Sequence, residues 1–222
     1  GERFQGILPP LAQSPLFVIR KKAVRIFTLD DLCTQGVLSD RGRDLLNDAV
    51  LKRKNILVIG GTDSGKTTFA NALLQVVAET TDRIVILEDT QELQCRAKDV
   101  EYLHTKDGVA SLRDLIRYTM RLSPDRIVIG EVRGAEALDL LKAWNTGHPG
   151  GVSTVHANSA EKGLLRIEQL VQEAGVAPCR AMISEAVNVL VYMEKVGAKR
   201  VVKNVLEVKG VVGDRYELSS LE

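Results

Sequence analysis

From Asn55 onward the chain alternates short, mostly apolar runs with longer stretches of helical periodicity. The runs at 56–59, 84–87, 127–129 and 152–155 are rich in β-branched residues, which predicts buried strands. Between them, residues 66–78, 111–121 and 135–144 repeat apolar positions at three- and four-residue spacing, which predicts helices. Ser111 with Asp114 has the capping-box pattern at the start of its helix. Strands that are apolar throughout and separated by helices predict a parallel sheet covered on both faces. Past Ser159 two more helices are expected, at 161–173 and 178–187, followed by antiparallel strands at 189–195, 200–208 and 215–218. The expected fold class is α/β, a mainly parallel sheet flanked by helices, with an antiparallel β addition at the C-terminus. The last two residues, Leu221 and Glu222, read as an appended tail outside that fold.

The first 28 residues read differently. Pro9, Pro10 and Pro15 punctuate them, and the runs 16–20 and 24–28 predict strands bounded by turns. So short a segment cannot bury a core alone. Residues 1–28 are therefore expected to be the tail of a truncated N-terminal domain plus a linker, and 29–222 a second domain. Ser39 is placed to cap a helix from Asp40 to about Arg53.

Composition narrows the function classes. The 222 residues are 45% hydrophobic and 27% charged, which excludes collagen-like or wholly disordered chains. Thirty Lys and Arg against 29 Asp and Glu leave a formal charge of +1, which argues against nucleic-acid binding through bulk electrostatics. No apolar run reaches the ~18 residues of a membrane span, and no basic-then-apolar leader opens the chain. Cys33, Cys95 and Cys179 are scattered with no C-x-x-C spacing, which excludes a cysteine zinc site and suits a reducing compartment.

The strongest chemistry is at Gly60-Gly61-Thr62-Asp63-Ser64-Gly65-Lys66-Thr67, which fits G-x-x-x-x-G-K-[ST] between a predicted strand and a predicted helix. Such a loop turns backbone amides toward phosphate oxygens at a helix N-terminus, where the dipole also favours anions. Lys66 is expected at the β and γ phosphates of a nucleoside triphosphate, Thr67 on Mg²⁺, and Thr68 near the α phosphate. Asp63 is the awkward member, because glycine at that position would allow positive φ and close approach. A carboxylate about 5 Å from a phosphate charge costs about 3 kcal/mol at an effective dielectric of 20, roughly a hundredfold in affinity. Pointed at solvent, the same side chain costs little. On the first alternative Asp63→Gly tightens ATP binding.

Acidic residues end the neighbouring strands. Glu131 follows Ile129-Gly130 and is expected across from the lysine, on metal-bound water. Glu88 and Asp89 end another strand, at the edge where open α/β sheets place ligands, and Glu88 is the candidate for orienting the attacking water. Sequence alone does not separate the two glutamates. His148 and His156 fall within nine residues among small residues, placed to sense a γ-phosphate or to link the site to a neighbouring subunit, with a metal pair as the rival reading. His104 reads as a core or surface histidine. Arg113, Arg117 and Arg121 share a helical face, either as a solvated stripe or with one of them reaching an adjoining subunit's nucleotide.

Four motifs in order carry a resemblance: G-G-T-D-S-G-K-T-T, I-L-E-D-T-Q-E, S-P-D-R-I-V-I-G-E-V-R-G-A-E-A and T-G-H-P-G-G-V-S-T-V-H-A-N-S. Together they resemble the traffic ATPases of bacterial type IV secretion and conjugation, and within them the Trb-type conjugal transfer branch. The resemblance covers roughly the first 175 residues. It implies a RecA-like P-loop fold, assembly as a homo-hexamer, and Mg·ATP hydrolysis between subunits that powers secretion or conjugation. It further implies partners in the inner-membrane machinery, a cytoplasmic location peripheral to the inner membrane, and no direct sequence-specific nucleic-acid binding. By the same resemblance, Gly60 to Thr68 match the Walker A element, and Gly130-Glu131 an atypical Walker B. Glu88 and Asp89 match an aspartate box, and His148 and His156 a histidine box. Arg3 and Arg20 match arginines that approach the phosphates from the N-terminal domain. The family loop has glycine where Asp63 stands. Other readings stay open: a type IV pilus assembly or retraction ATPase, a nucleotide-binding scaffold made a weak hydrolase by Asp63, and a DNA-translocating motor, against which the near-neutral charge speaks.

Overall fold

The computed structural model describes residues 2–21 and 25–221. The chain opens with a two-stranded antiparallel sheet of β1 (Arg3–Ile7) and β2 (Leu16–Arg20), in register so that Arg3 faces Arg20. Residues 25–28 do not continue into the expected strand. Thr28 instead caps the short helix α1 (Leu29–Thr34) in a reciprocal capping box with Asp31. Ser39 caps α2 (Asp40–Leu51) as its position predicts, its hydroxyl accepting from the Gly42 amide.

The remaining elements follow in the order β3 (Ile56–Gly60), α3 (Lys66–Val77), β4 (Ile84–Glu88), β5 (Val100–His104), α4 (Leu112–Thr119), β6 (Arg126–Ile129), α5 (Glu136–Asn145), β7 (Val152–Val155), α6 (Ala160–Gln172), α7 (Arg180–Ala186), β8 (Val189–Val196), β9 (Lys199–Val212) and β10 (Arg215–Ser220). They build one eight-stranded sheet in the order β10-β9-β8-β3-β7-β6-β4-β5. β3 pairs in parallel with both β7 and β8, and β4 with both β5 and β6, whereas β9 and β10 add on antiparallel. This is the expected α/β class, with the antiparallel addition made by the C-terminal strands.

Burial explains why the central strands read so clearly. Every residue of β3, β4, β6 and β7 is buried, because helices cover the sheet on both faces. One core packs Leu57, Ile59, Leu87 and Ile129 under α4 to α7; the other packs Ile56, Val58, Ile86 and Val128 under α1 to α3. β5 is different: an edge strand, only half-buried, that the apolar pattern does not mark. Leu221 also departs from expectation, since its amide donates to Val205 O at 2.9 Å and its side chain packs on the second core. Among the described residues no helix is long and apolar enough to cross a membrane.

Candidate nucleotide-binding site

The site forms at the C-terminal edge of the parallel strands, where β3 breaks into the loop before α3. Gly60 is required there by space: a Cβ would lie 2.6 Å from Met193 O on β8 and would also collide with Ser64 Oγ. Gly65 turns the chain into α3 with φ +94°, and no side chain caps that helix. The first-turn amides of a helix lack intrahelical acceptors, so this end is a ready anion site. The Lys66 ammonium folds back over the loop, donating to Gly60 O at 2.9 Å and Gly61 O at 3.0 Å.

Asp63 takes the left-handed conformation, φ +63°. Its carboxylate turns outward: the side chain is 71% exposed and Oδ2 lies 3.5 Å from Lys195 Nζ at the end of β8. Of the two orientations the sequence allows, the structure has the solvent-facing one. The Asp63 carbonyl accepts from Arg200 Nε at 3.2 Å, so the β8–β9 hairpin grips the loop at both its main chain and its side chain.

Around this loop lies a cleft of about 820 Å³, lined by Thr62 to Phe69, Glu88, Asp89, Glu131, Thr154 and His156 among others. Glu131 does not end the strand next to β3, as the local pattern suggests. The sheet order inserts β7 between β3 and β6, so Glu131 faces the loop across one intervening strand tip. Thr154 on β7 bridges the gap, its hydroxyl donating to Gly130 O at 2.9 Å. Glu131 Oε2 accepts from Arg133 Nε at 2.9 Å, and Arg133 Nη1 stands 3.9 Å from Asp89. Burial works to discharge Arg133, but its hydrogen bond to Glu131 and the surrounding carboxylates raise its pKa above the usual guanidinium value.

Glu88, at the tip of β4, is 4% exposed. Its Oε1 accepts the amides of Glu92 at 3.0 Å and Leu93 at 2.9 Å, which fixes the loop after β4. Gly130 lets it sit there, because a Cβ on residue 130 would lie 3.0 Å from Glu88 Cγ and 3.1 Å from Oε1. Asp89 Oδ1 accepts from Thr105 Oγ1 at 2.9 Å.

The two histidines part company. His156 follows β7 and lines the cleft. His148 precedes β7, in a turn whose Gly150 carbonyl accepts from Arg126 at the start of β6. Four strand residues at about 3.3 Å each separate the histidines by more than about 13 Å, so His148 does not join His156 beside the loop within this chain. The direction of β7 therefore speaks against the rival metal pair, and of the two histidines only His156 lines the cleft. His148 Nδ1 is buried with no hydrogen-bond partner among the described residues. No cluster of three or more metal-binding side chains occurs among the described residues either. Of the arginine stripe, Arg113 pairs with Asp139 at 2.7 Å and Arg117 lies 4.0 Å from Asp114, whereas Arg121 falls beyond the end of α4. The side chains of Arg3 and Arg20 lie outside the described residues.

Two further residues belong to the site. Arg133, two positions from Glu131, is legible as part of the same run. Arg200 is not, since 137 positions separate it from the carbonyl that it holds.

Residues 6–207 match the family described as Type II/IV secretion system protein. The chain belongs to this family. Among curated members, the conjugal transfer protein TrbB of Rhizobium radiobacter is 48% identical over 219 residues, covering 98% of this chain and 68% of its own length. Among solved structures, the VirB11 ATPase of the Brucella suis type IV secretion system, in complex with sulphate, superposes with a TM-score of 0.66 at 27% identity, covering 93% of this chain and 71% of that one. The pilus retraction motor PilT with bound ADP gives a TM-score of 0.65 at 24% identity, covering 99% and 63%, a likeness of fold.

Proposed function

We propose that this chain is the hydrolytic core of a traffic ATPase that powers a type IV secretion or conjugative transfer machine. It converts ATP and water to ADP and phosphate as one subunit of a homo-hexamer. The reading is carried by one arrangement: an uncapped helix N-terminus with its lysine opposes two strand-tip glutamates and a histidine across a single cleft.

The amides of Gly65 to Thr68 and the Lys66 ammonium bind the phosphate chain, Lys66 exchanging the Gly60 and Gly61 carbonyls for phosphate oxygens. The Thr67 hydroxyl and the Glu131 carboxylate line the same cleft, and this pair of oxygen donors fits magnesium. Held there, such an ion would supply positive charge against the phosphate oxygens during in-line displacement. Glu131 becomes available for that role once Arg133 releases its carboxylate. Glu88 orients the attacking water with its second carboxylate oxygen, and His156 meets the γ-phosphate from the tip of β7. The β1–β2 hairpin is the end of an N-terminal domain, from which Arg3 and Arg20 approach the phosphates, and 29–222 is the RecA-like domain. His148, on the opposite edge, serves a subunit contact. The ring sits at the cytoplasmic face of the inner membrane and docks on membrane components of its machine.

TrbB's 48% identity favours conjugal transfer over the pilus motor, whose likeness is one of fold. The scaffold reading loses its cause, because the Asp63 carboxylate is turned out to Lys195. The test is phosphate release by Lys66→Ala, expected to fall at least about a hundredfold. Release at the wild-type rate refutes the site. A wild-type chain that binds ATP yet releases no phosphate is instead the scaffold.

A further inference from the structure

Arg200 lies at the start of β9, outside all four sequence motifs, yet it reaches the phosphate loop. Its Nε donates to Asp63 O, and its Cγ and Cβ lie 3.6 and 3.8 Å from the point where a Cβ on Gly65 would sit. The side chain therefore lies against the N-cap of α3. A cation is electrostatically out of place there, because the helix dipole presents its positive end and the Lys66 ammonium shares the loop. The neighbouring acid, Asp63, is turned away toward Lys195. The position is favourable once an anion comes between Arg200 and the helix.

The sheet order says which anion. β8 and β9 lie on one side of β3, whereas β7, β6 and β4 lie on the other. Glu88, Glu131 and His156 end strands on that second side, which is where metal and γ-phosphate chemistry belongs. Arg200's side is left for the α-phosphate and the nucleoside. The half-buried Val37 lines the cleft there and offers a base apolar surface, in a turn tied to β9 by Val202 N donating to Val37 O at 2.8 Å.

We propose that Arg200 is a nucleotide-binding residue acting within its own subunit. On binding, its guanidinium exchanges the Asp63 carbonyl for the α-phosphate, while Lys195 keeps the Asp63 carboxylate turned outward. The inference rests on the triphosphate reading of the cleft and adds a contact to it that no motif supplies.

The experiment measures dissociation constants of ADP and ATP by displacement of a fluorescent ADP analogue, for wild type and Arg200→Ala, alongside KM and kcat. Loss of one charge-assisted hydrogen bond predicts that both nucleotides weaken by about tenfold, equally, with KM raised and kcat within about twofold. Weakening of ATP alone refutes the α-phosphate assignment, because a γ contact is then at work. Unchanged affinity for both nucleotides overturns the proposal. Failure of the wild type to bind ADP refutes the reading of the cleft itself, a separate outcome. Where Arg200→Ala melts early, Arg200→Gln keeps the stem packed on Gly65 and carries the same expectation.

Discussion

Replacing Asp63 by glycine gives the loop the residue that its resemblance to the traffic ATPases leads one to expect, and the structure fixes how much this gains. Were the carboxylate about 5 Å from a phosphate, its removal would tighten ATP binding by about 3 kcal/mol, or about a hundredfold. The observed side chain is 71% exposed, with Lys195 Nζ 3.5 Å from Oδ2. At about 8 Å in a water-like dielectric, a bare charge repels a phosphate by about 0.5 kcal/mol, and the lysine cancels most of that. The expected change in the ATP dissociation constant is therefore under about threefold. Stability moves little as well. Glycine relieves the left-handed backbone at φ +63°, but it adds freedom to the unfolded chain worth about 0.5–1 kcal/mol and removes an exposed ion pair of at most about 1 kcal/mol. Calorimetric titration of Mg·ATP into Asp63→Gly and wild type reads the difference directly. A hundredfold tightening would show that the carboxylate faces the phosphates, and the outward geometry would be refuted.

Asp82→Asn should destabilise by about 3–5 kcal/mol in denaturant melts, because Arg126, 1% exposed, would keep a buried charge without its carboxylate partner at 2.6 Å. Burial pushes the Asp82 pKa up, but hydrogen bonds and charge from Arg126 and Arg53 hold it below the ordinary 3.8. Its stabilising share is thus complete above about pH 4 and is lost as pH falls through the lower folded value. Wild type should therefore lose stability more steeply on acidification than Asp82→Asn, and parallel profiles would contradict the assignment. Gly151→Ala should cost about 2–4 kcal/mol, because the new Cβ collides with Ile127 O and Trp144 Nε1 and lies 2.6 Å from Trp144 Cε2. Thermal melting and the fluorescence of Trp144 report it.

The legible parts of this chain are those that local chemistry decides. β3, β4, β6 and β7 announce themselves because burial on both faces demands unbroken apolar runs. The caps at Ser39 and Ser111 follow from side chains bonding amides three residues on. The phosphate loop is legible for the same reason, all its parts lying within nine residues. Edge strand β5 escapes because one side meets solvent and its pattern, Val100-Glu101-Tyr102-Leu103-His104, is only half apolar. The run into Thr28 misleads because its β-branched residues resemble a strand, whereas the Thr28 hydroxyl starts a helix. Strand order is not local at all, so the insertion of β7 beside β3, the parting of His148 from His156, and the reach of Arg200 appear only in three dimensions.

The fit of Glu88 against Gly130 has a consequence for how this site can change over time. The acid after β6 is held by Arg133, whereas the spacer before it is held by space. Hydrogen bonds from two backbone amides pin Glu88 in place, and a Cβ on residue 130 would press on it from 3.0 Å. Bulk at one strand tip therefore requires the other to give by a few tenths of an ångström. A lineage that altered position 130 would have to shift the side chain at position 88 along with it.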